Sequence, residues 1–246
     1  MNGAILYEGP SAIDGQPIVV IATGLSGRSR NEKTGDMVQT WVLRSDIAPH
    51  DAVKGGQDES VCGQCPHRGT MVDGKNVGRS CYVTVFQAPL SVYKAYHRGI
   101  YPRLNAFEAA AALAGRMVRL GAYGDPAAAP FAMWKMATSR AKGWTGYTHQ
   151  WRTADPRFAA LCMASADTAE EGEEARAAGW RTFRVRTASG AVAPREFICP
   201  ASEEAGYKTD CATCKACMGT DAKAKASPVI IAHGATARAF ERRQAA

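Results

Sequence analysis

From Met37 to the C-terminus, short apolar runs alternate with segments of helical periodicity, and this alternation is the tightest constraint on how the chain can fold. "MVQTWVLR" (37–44), "RMVRLGAY" (116–123), "WTGYTHQW" (144–151), "ALCMASA" (160–166), "WRTFRVRT" (180–187), "REFICP" (195–200) and "SPVIIAHG" (227–234) read as strands. Between them, 89–99, 105–115, 130–143 and 167–179 read as helices, and "ATARAFERR" as a terminal one. The 167–179 helix has Asp167 or Thr168 as its cap, an acidic first turn, and Gly179 to close it. Strand–helix alternation predicts an α/β fold with a parallel sheet. Seven strands suit a full or partial (β/α) barrel, with a doubly wound sheet as the alternative.

Residues 1–34 break differently, into "AILYEG", "PIVVIATGL" and the polar "SGRSRNEKTGD". They predict a small N-terminal β element with an exposed, arginine-bearing loop, ahead of a barrel-like domain over 35–246. Polar residues fall at the C-terminal ends of the predicted strands: Asp125, His149, Asp167, Cys199 and His233. Barrel enzymes assemble their sites on that face, so these five are expected around one cavity, with Asp125, His149 and Asp167 as candidate catalytic groups. In "LGAYGDPAAAP" the glycines Gly121 and Gly124 let backbone approach a ligand, and Asp125 can accept hydrogen bonds from an amine or ribose. His149 is flanked by Tyr147 and Trp151, a setting suited to base stacking.

Eight cysteines in 246 residues are more than a chain of this length needs as staples, and seven of them fall into two sets, with Cys162 apart. Cys211, Cys214 and Cys217 are spaced by two in a polar loop, with Cys199 upstream at a strand end. That pattern can wrap one face of a [4Fe–4S] cubane; zinc, including a Cys3His site through His233, is the alternative. The second set is Cys62, Cys65 and Cys81, in cysteine loops at 62–81, with "TMVDGKNVGRS" between them read as a glycine-rich loop. Three thiols leave a fourth position to His67, to Cys162, or open for a ligand, and Cys162 reads as a core residue.

The ordered segments "TGDMVQTWVLR", "CGQCPHRG", "CYVTVFQAPLSVY", "VRLGAYGDPAA", "TGYTHQW", "GWRTFRV" and "CPASEEAG" resemble an uncharacterised family associated with tailed phages and prophages. More distantly, the layout is similar to radical S-adenosylmethionine enzymes. That resemblance implies a cysteine triad at Cys62, Cys65 and Cys81, a glycine-rich cofactor stretch over Gly121–Pro126, and an auxiliary cluster at Cys199, Cys211, Cys214 and Cys217. It also implies S-adenosylmethionine as co-substrate. The spacing here is Cys-x2-Cys-x15-Cys, where that family has Cys-x3-Cys-x2-Cys.

The formal charge of +7 and pI near 9.0 make a nucleotide or nucleic acid an expected partner. No run is long and apolar enough for a membrane span, and the N-terminus has no signal-peptide pattern, so the expected setting is the cytoplasm (a host's, if phage-encoded). Two functions stand side by side: an iron–sulfur enzyme of the radical type acting on a nucleotide or nucleic acid, and a zinc-containing DNA-binding protein with structural cysteine sites.

Overall fold

The computed structural model describes residues 2–27, 31–220 and 223–245. Arg28 and Arg30 of the expected N-terminal loop lie outside the described residues. The strands are β1 (Gly3–Pro10), β2 (Pro17–Thr23), β3 (Met37–Arg44), β4 (Thr70–Val72), β5 (Lys75–Val77), β6 (Met117–Tyr123), β7 (Gly143–Thr148), β8 (Met163–Ala166), β9 (Thr182–Arg186), β10 (Glu196–Ile198) and β11 (Ser227–Ile231). Nine of them form one mixed sheet in the order β1-β2-β3-β6-β7-β8-β9-β11-β10. β1, β2 and β3 are antiparallel neighbours, and every pairing from β3 through to β10 is parallel. The sheet ends at β1 and β10 and does not close, so the full barrel expected from the sequence is not formed.

Instead of standing apart, the N-terminal strands extend the sheet: β2 runs in register with β3 from Ile18↔Arg44 to Thr23↔Gln39. Ile18, Val19, Val20, Ile21 and Ala22 are all fully buried, which is why this "PIVVIAT" run reads as continuously apolar. The helices are α1 (Pro49–Gly55), α2 (Glu59–Cys62), α3 (Ala88–His97), α4 (Ala106–Ala112), α5 (Phe131–Thr138), α6 (Ala169–Ala177), α7 (Cys211–Cys214) and α8 (Ala237–Gln244). α4 starts on a reciprocal capping box between Asn105 and Glu108, and α6 on Thr168, whose hydroxyl accepts from the Glu171 amide at 3.1 Å. α5 is shorter than its periodic pattern: Thr138 ends it, its hydroxyl donating back to the Trp134 carbonyl at 2.8 Å.

Period-two alternation along the parallel strands sorts the sheet's two faces. Val118 and Leu120 of β6 and Ala164 of β8 enter the apolar core, where Trp134 of α5 is fully buried. Arg119, Tyr123, Thr145, Tyr147, Ser165 and Phe183 line a cavity of about 360 Å³. Among the described residues no helix is long and apolar enough to cross a membrane.

Candidate functional site

The loop from β3 to β6 carries the first cysteine set, and a hairpin explains its long internal gap. β4 and β5 pair antiparallel around Asp73 and Gly74, both with positive φ, which is the Asp-Gly turn of a two-residue hairpin. The chain leaves after Arg68 and returns at Ser80, where the Ser80 and Cys81 amides both donate to the His67 carbonyl (3.0 and 2.9 Å). Cys81 therefore stands beside His67 in space despite fifteen intervening residues from Cys65. Asn76 locks the excursion, its amide donating to the Arg68 and Val53 carbonyls (3.0 and 2.8 Å). Cys65 is turned back by its own amide, which donates to the Cys62 carbonyl at 3.2 Å. Gln150, beyond β7, clamps the same loop: its side chain donates to the Cys62 carbonyl (3.0 Å) and accepts from the Gln64 amide (3.2 Å).

Cys62, Cys65 and Cys81 all line the large cavity. Burial, and then the neighbouring thiols, push the Cys62 and Cys65 thiols well up, so both hold their protons until a metal displaces them. Cys162 is elsewhere. It is fully buried in the core, with its sulfur against Gly146, and it does not face the cavity.

Asp125, Gly121 and Gly124 also line the cavity, at the end of β6. Gly124 has φ +78°, and a Cβ there would lie 2.5 Å from the Val42 carbonyl oxygen, so only glycine lets this turn pack on β3. The Asp125 carboxylate accepts from the Ala127 and His149 amides (both 2.9 Å) and from the Thr148 and Gln150 side chains. Burial nonetheless pushes it up to about 6. It ties the end of β6 to the end of β7.

His149 presents its ring to the edge of His67, with centroids 5.3 Å apart. Burial pushes its pKa down to about 4, and its Nε2 is buried with no partner. His67 is held at both nitrogens, Nδ1 by Ser80 Oγ (2.8 Å) and Nε2 by Asp167 Oδ1 (3.0 Å). The second Asp167 oxygen accepts from Arg243 of α8 at 2.7 Å. Burial works against ionisation of Asp167, but His67, His149 and Arg243 outweigh it and hold the carboxyl far below its usual range. Phe240 of α8 stacks on His67 at 5.6 Å, so the terminal helix closes this side of the cavity. Among the described residues, ligand atoms of His67, His149 and Asp167 form a group lying within 4.8 Å of one another.

The second cysteine set converges too. Cys199, Cys211, Cys214 and Cys217 line one small pocket, of about 30 Å³, that shares Lys33, Thr145, Tyr147, Phe183 and Cys211 with the large cavity. Asp210 caps α7 by accepting from the Thr213 amide at 2.8 Å, and the Cys211 amide donates to the Lys33 carbonyl at 2.9 Å. The Tyr147 hydroxyl is hydrogen-bonded to the Cys217 thiol, which burial pushes up to about 12.

Of the five strand-end residues, Asp125, His149 and His233 line the cavity and Asp167 adjoins it through His67. Cys199 does not; it belongs to the smaller nest behind the shared wall. His233 is not among the four thiols, since its Nε2 meets the Lys33 ammonium at 2.8 Å on the cavity side. Trp151 is a core residue whose indole donates to the Ser165 carbonyl (3.2 Å), while Tyr147 does face the cavity. Lys33, Arg119, Gln150 and Arg243 carry no motif in the sequence. Only Arg119 had a visible signal, as a charge on the alternate face of an apolar strand. In comparisons with known proteins, no family model, curated protein or solved structure matches the chain.

Proposed function

We propose that the protein is a two-cluster iron–sulfur enzyme of the radical S-adenosylmethionine type, a partial (β/α) barrel acting on a nucleotide or nucleic-acid component. The observation that carries this reading is the convergence of three thiols, Cys62, Cys65 and Cys81, on the wall of a ligand-sized cavity whose other lining thiol, Cys211, belongs to the C-terminal set. Cys162 is in the core, and His67 has both ring nitrogens engaged. A structural metal site wants four protein ligands; three beside a cavity leave one position for a ligand from solution. The open sheet, whose parallel strands run sequentially from β3 to β9, is the arrangement a partial barrel requires.

The donor sets are soft thiolates, which suit iron–sulfur or zinc, and their placement, three on the cavity wall and four around one small pocket, supports the iron–sulfur reading. Cys62, Cys65 and Cys81 would hold the open cluster, and Cys199, Cys211, Cys214 and Cys217 the closed one. When bound, the reduced open cluster with S-adenosylmethionine supplies hydrogen-atom abstraction from a substrate carbon.

The protein's own residues set the stage. Asp125 fixes the glycine turn at the ends of β6 and β7, and Gln150 holds the cysteine loop over it. Val83, Tyr123 and Phe240 exclude water from the wall, and His149 keeps a buried, unpartnered Nε2 beside them. The charge of +7 and the phage-family resemblance support a substrate from nucleic-acid metabolism or modification.

The test is anaerobic purification with iron, sulfide and zinc analysis, followed by reduction and addition of S-adenosylmethionine. The expected result is a brown protein that releases 5′-deoxyadenosine, with release abolished in Cys65→Ala. A colourless zinc protein that yields none would replace this reading with the DNA-binding one.

A further inference from the structure

We infer that the cavity carries a phosphate-binding subsite, built from Lys33, Arg119, Tyr82, His233 and the turn that opens α8, and that the substrate is a phosphorylated small molecule of nucleotide size. The subsite deepens the functional reading above and rests on it for the identity of the cavity. Its own basis is a pair of cations without acids. Elsewhere in the molecule Arg44, Arg68, Arg184 and Arg186 hold carboxylates (Asp46, Asp58, Glu196 and Glu204), while Arg79 and Arg181 are spent on backbone carbonyls. Lys33 and Arg119 share the cavity wall, and among the described residues neither has a carboxylate within 4.0 Å. Arg119 donates to the Tyr82 hydroxyl at 2.5 Å, and Lys33 to His233 Nε2 at 2.8 Å.

Neither partner is a carboxylate. His233 Nδ1 faces the Ile231 carbonyl at 3.2 Å, which places the ring proton there and leaves Nε2 as an acceptor. Tyr82 stacks on His233 with centroids 6.0 Å apart, so the four side chains form one continuous surface. Adjacent to them the chain turns at Gly234 and enters α8 through Thr236. The Thr236 hydroxyl is buried, lines the cavity and has no partner; it does not cap its own helix. A guanidinium fork, an ammonium, two hydroxyls and a helix start line this one cavity, groups of the kind that hold phosphate oxygens. The cavity volume, about 360 Å³, admits one ligand of nucleotide size and no duplex.

Two other anions compete for these cations. Lys33 and Arg119 also adjoin Cys211, so they could balance thiolates there, or they could hold the carboxylate of S-adenosylmethionine. Calorimetric titration of the anaerobic, cluster-replete protein separates the three. The probes are inorganic phosphate, the four ribonucleoside 5′-monophosphates, their nucleosides and S-adenosylmethionine. At least one monophosphate should bind tenfold or more tightly than its nucleoside, with inorganic phosphate competing. Arg119→Met and Lys33→Met should each weaken it at least tenfold at unchanged iron and sulfide content, and Arg119→Lys should recover part of the loss. Equal binding of every nucleotide and nucleoside pair, or no binding of any phosphate, overturns the subsite. So does loss of iron from either Met variant, or weakening confined to S-adenosylmethionine. Release of 5′-deoxyadenosine is scored separately: its absence with phosphate binding intact defeats the radical reading and leaves the subsite standing.

Discussion

His149 and Asp125 are joined through one amide hydrogen bond, yet their side chains titrate in opposite senses. Burial lowers His149 from an ordinary 6.5 to about 4, so between those values the unfolded chain binds the extra proton and stability falls as the solution is acidified. Burial raises Asp125 from 3.8 to about 6, so across most of the same window the folded chain binds the extra proton and stability rises on acidification. In the wild type the two slopes largely cancel. Each single variant should unmask the other residue: Asp125→Asn should lose on the order of 1–2 kcal/mol more than wild type between pH 6.5 and 5, and His149→Gln should lose correspondingly less. Melting temperatures of the three proteins across that range check the signs, and parallel curves would mean that neither group is enclosed as described.

At the scale of elements, the four-residue helix α7 depends on a loop from the other end of the chain. Gly35 has φ +64°, and a Cβ there would lie 2.6 Å from the carboxyl carbon of Asp210, the α7 cap. Gly35→Ala should therefore displace Asp210, cost about 1–3 kcal/mol, and strip metal from the C-terminal cysteines while sparing the Cys62 set. Metal analysis of that variant is decisive, because retention at both sets would uncouple the loop from α7. This dependence could not be read from the sequence, where Gly35 and Asp210 are 175 residues apart. Strands β3, β6 and β11 were legible because each is a largely apolar run, β9 by its alternation, and the grouping of the cysteines within 199–217 by their spacing. The β4–β5 hairpin was passed over because its strands are three residues each and largely exposed, although Asp73-Gly74 marked the turn. The gap before Cys81 is an excursion closed at His67, although the spacing itself remains Cys-x2-Cys-x15-Cys. Lys33 was invisible because nothing local distinguishes it; tertiary folding alone brings it to the cavity.

Across the whole molecule, the sheet from β1 to β9 is supported by a continuous apolar core, and the segment between β10 and β11 is not. Among the described residues, 199–226 contains only the short α7 as regular structure, and the buried cluster beside it consists of Cys199, Ala201 and Ile230. Arg181 secures part of it by donating to the carbonyls of Ala216, Gly219 and Ala226 at 2.9–3.2 Å. A stretch that long with so little apolar burial is uncommon inside a compact domain. On the function proposed above, a metal held by the four thiols around one pocket would supply what burial does not, since metal affinity at such a site is folding free energy on the order of 10 kcal/mol. Cys214→Ser, or removal of metal by chelation, should then loosen this segment and leave the β1–β9 core folded. Limited trypsin digestion reads this directly, because Lys208, Lys215, Lys223 and Lys225 all lie within the segment. Cleavage there should accelerate at least tenfold in the variant while cleavage within β3–β9 (Met37–Arg186) is unchanged, since local opening sets the rate. Equal cleavage of variant and wild type would mean that protein contacts alone hold the segment and that the four thiols bind no metal.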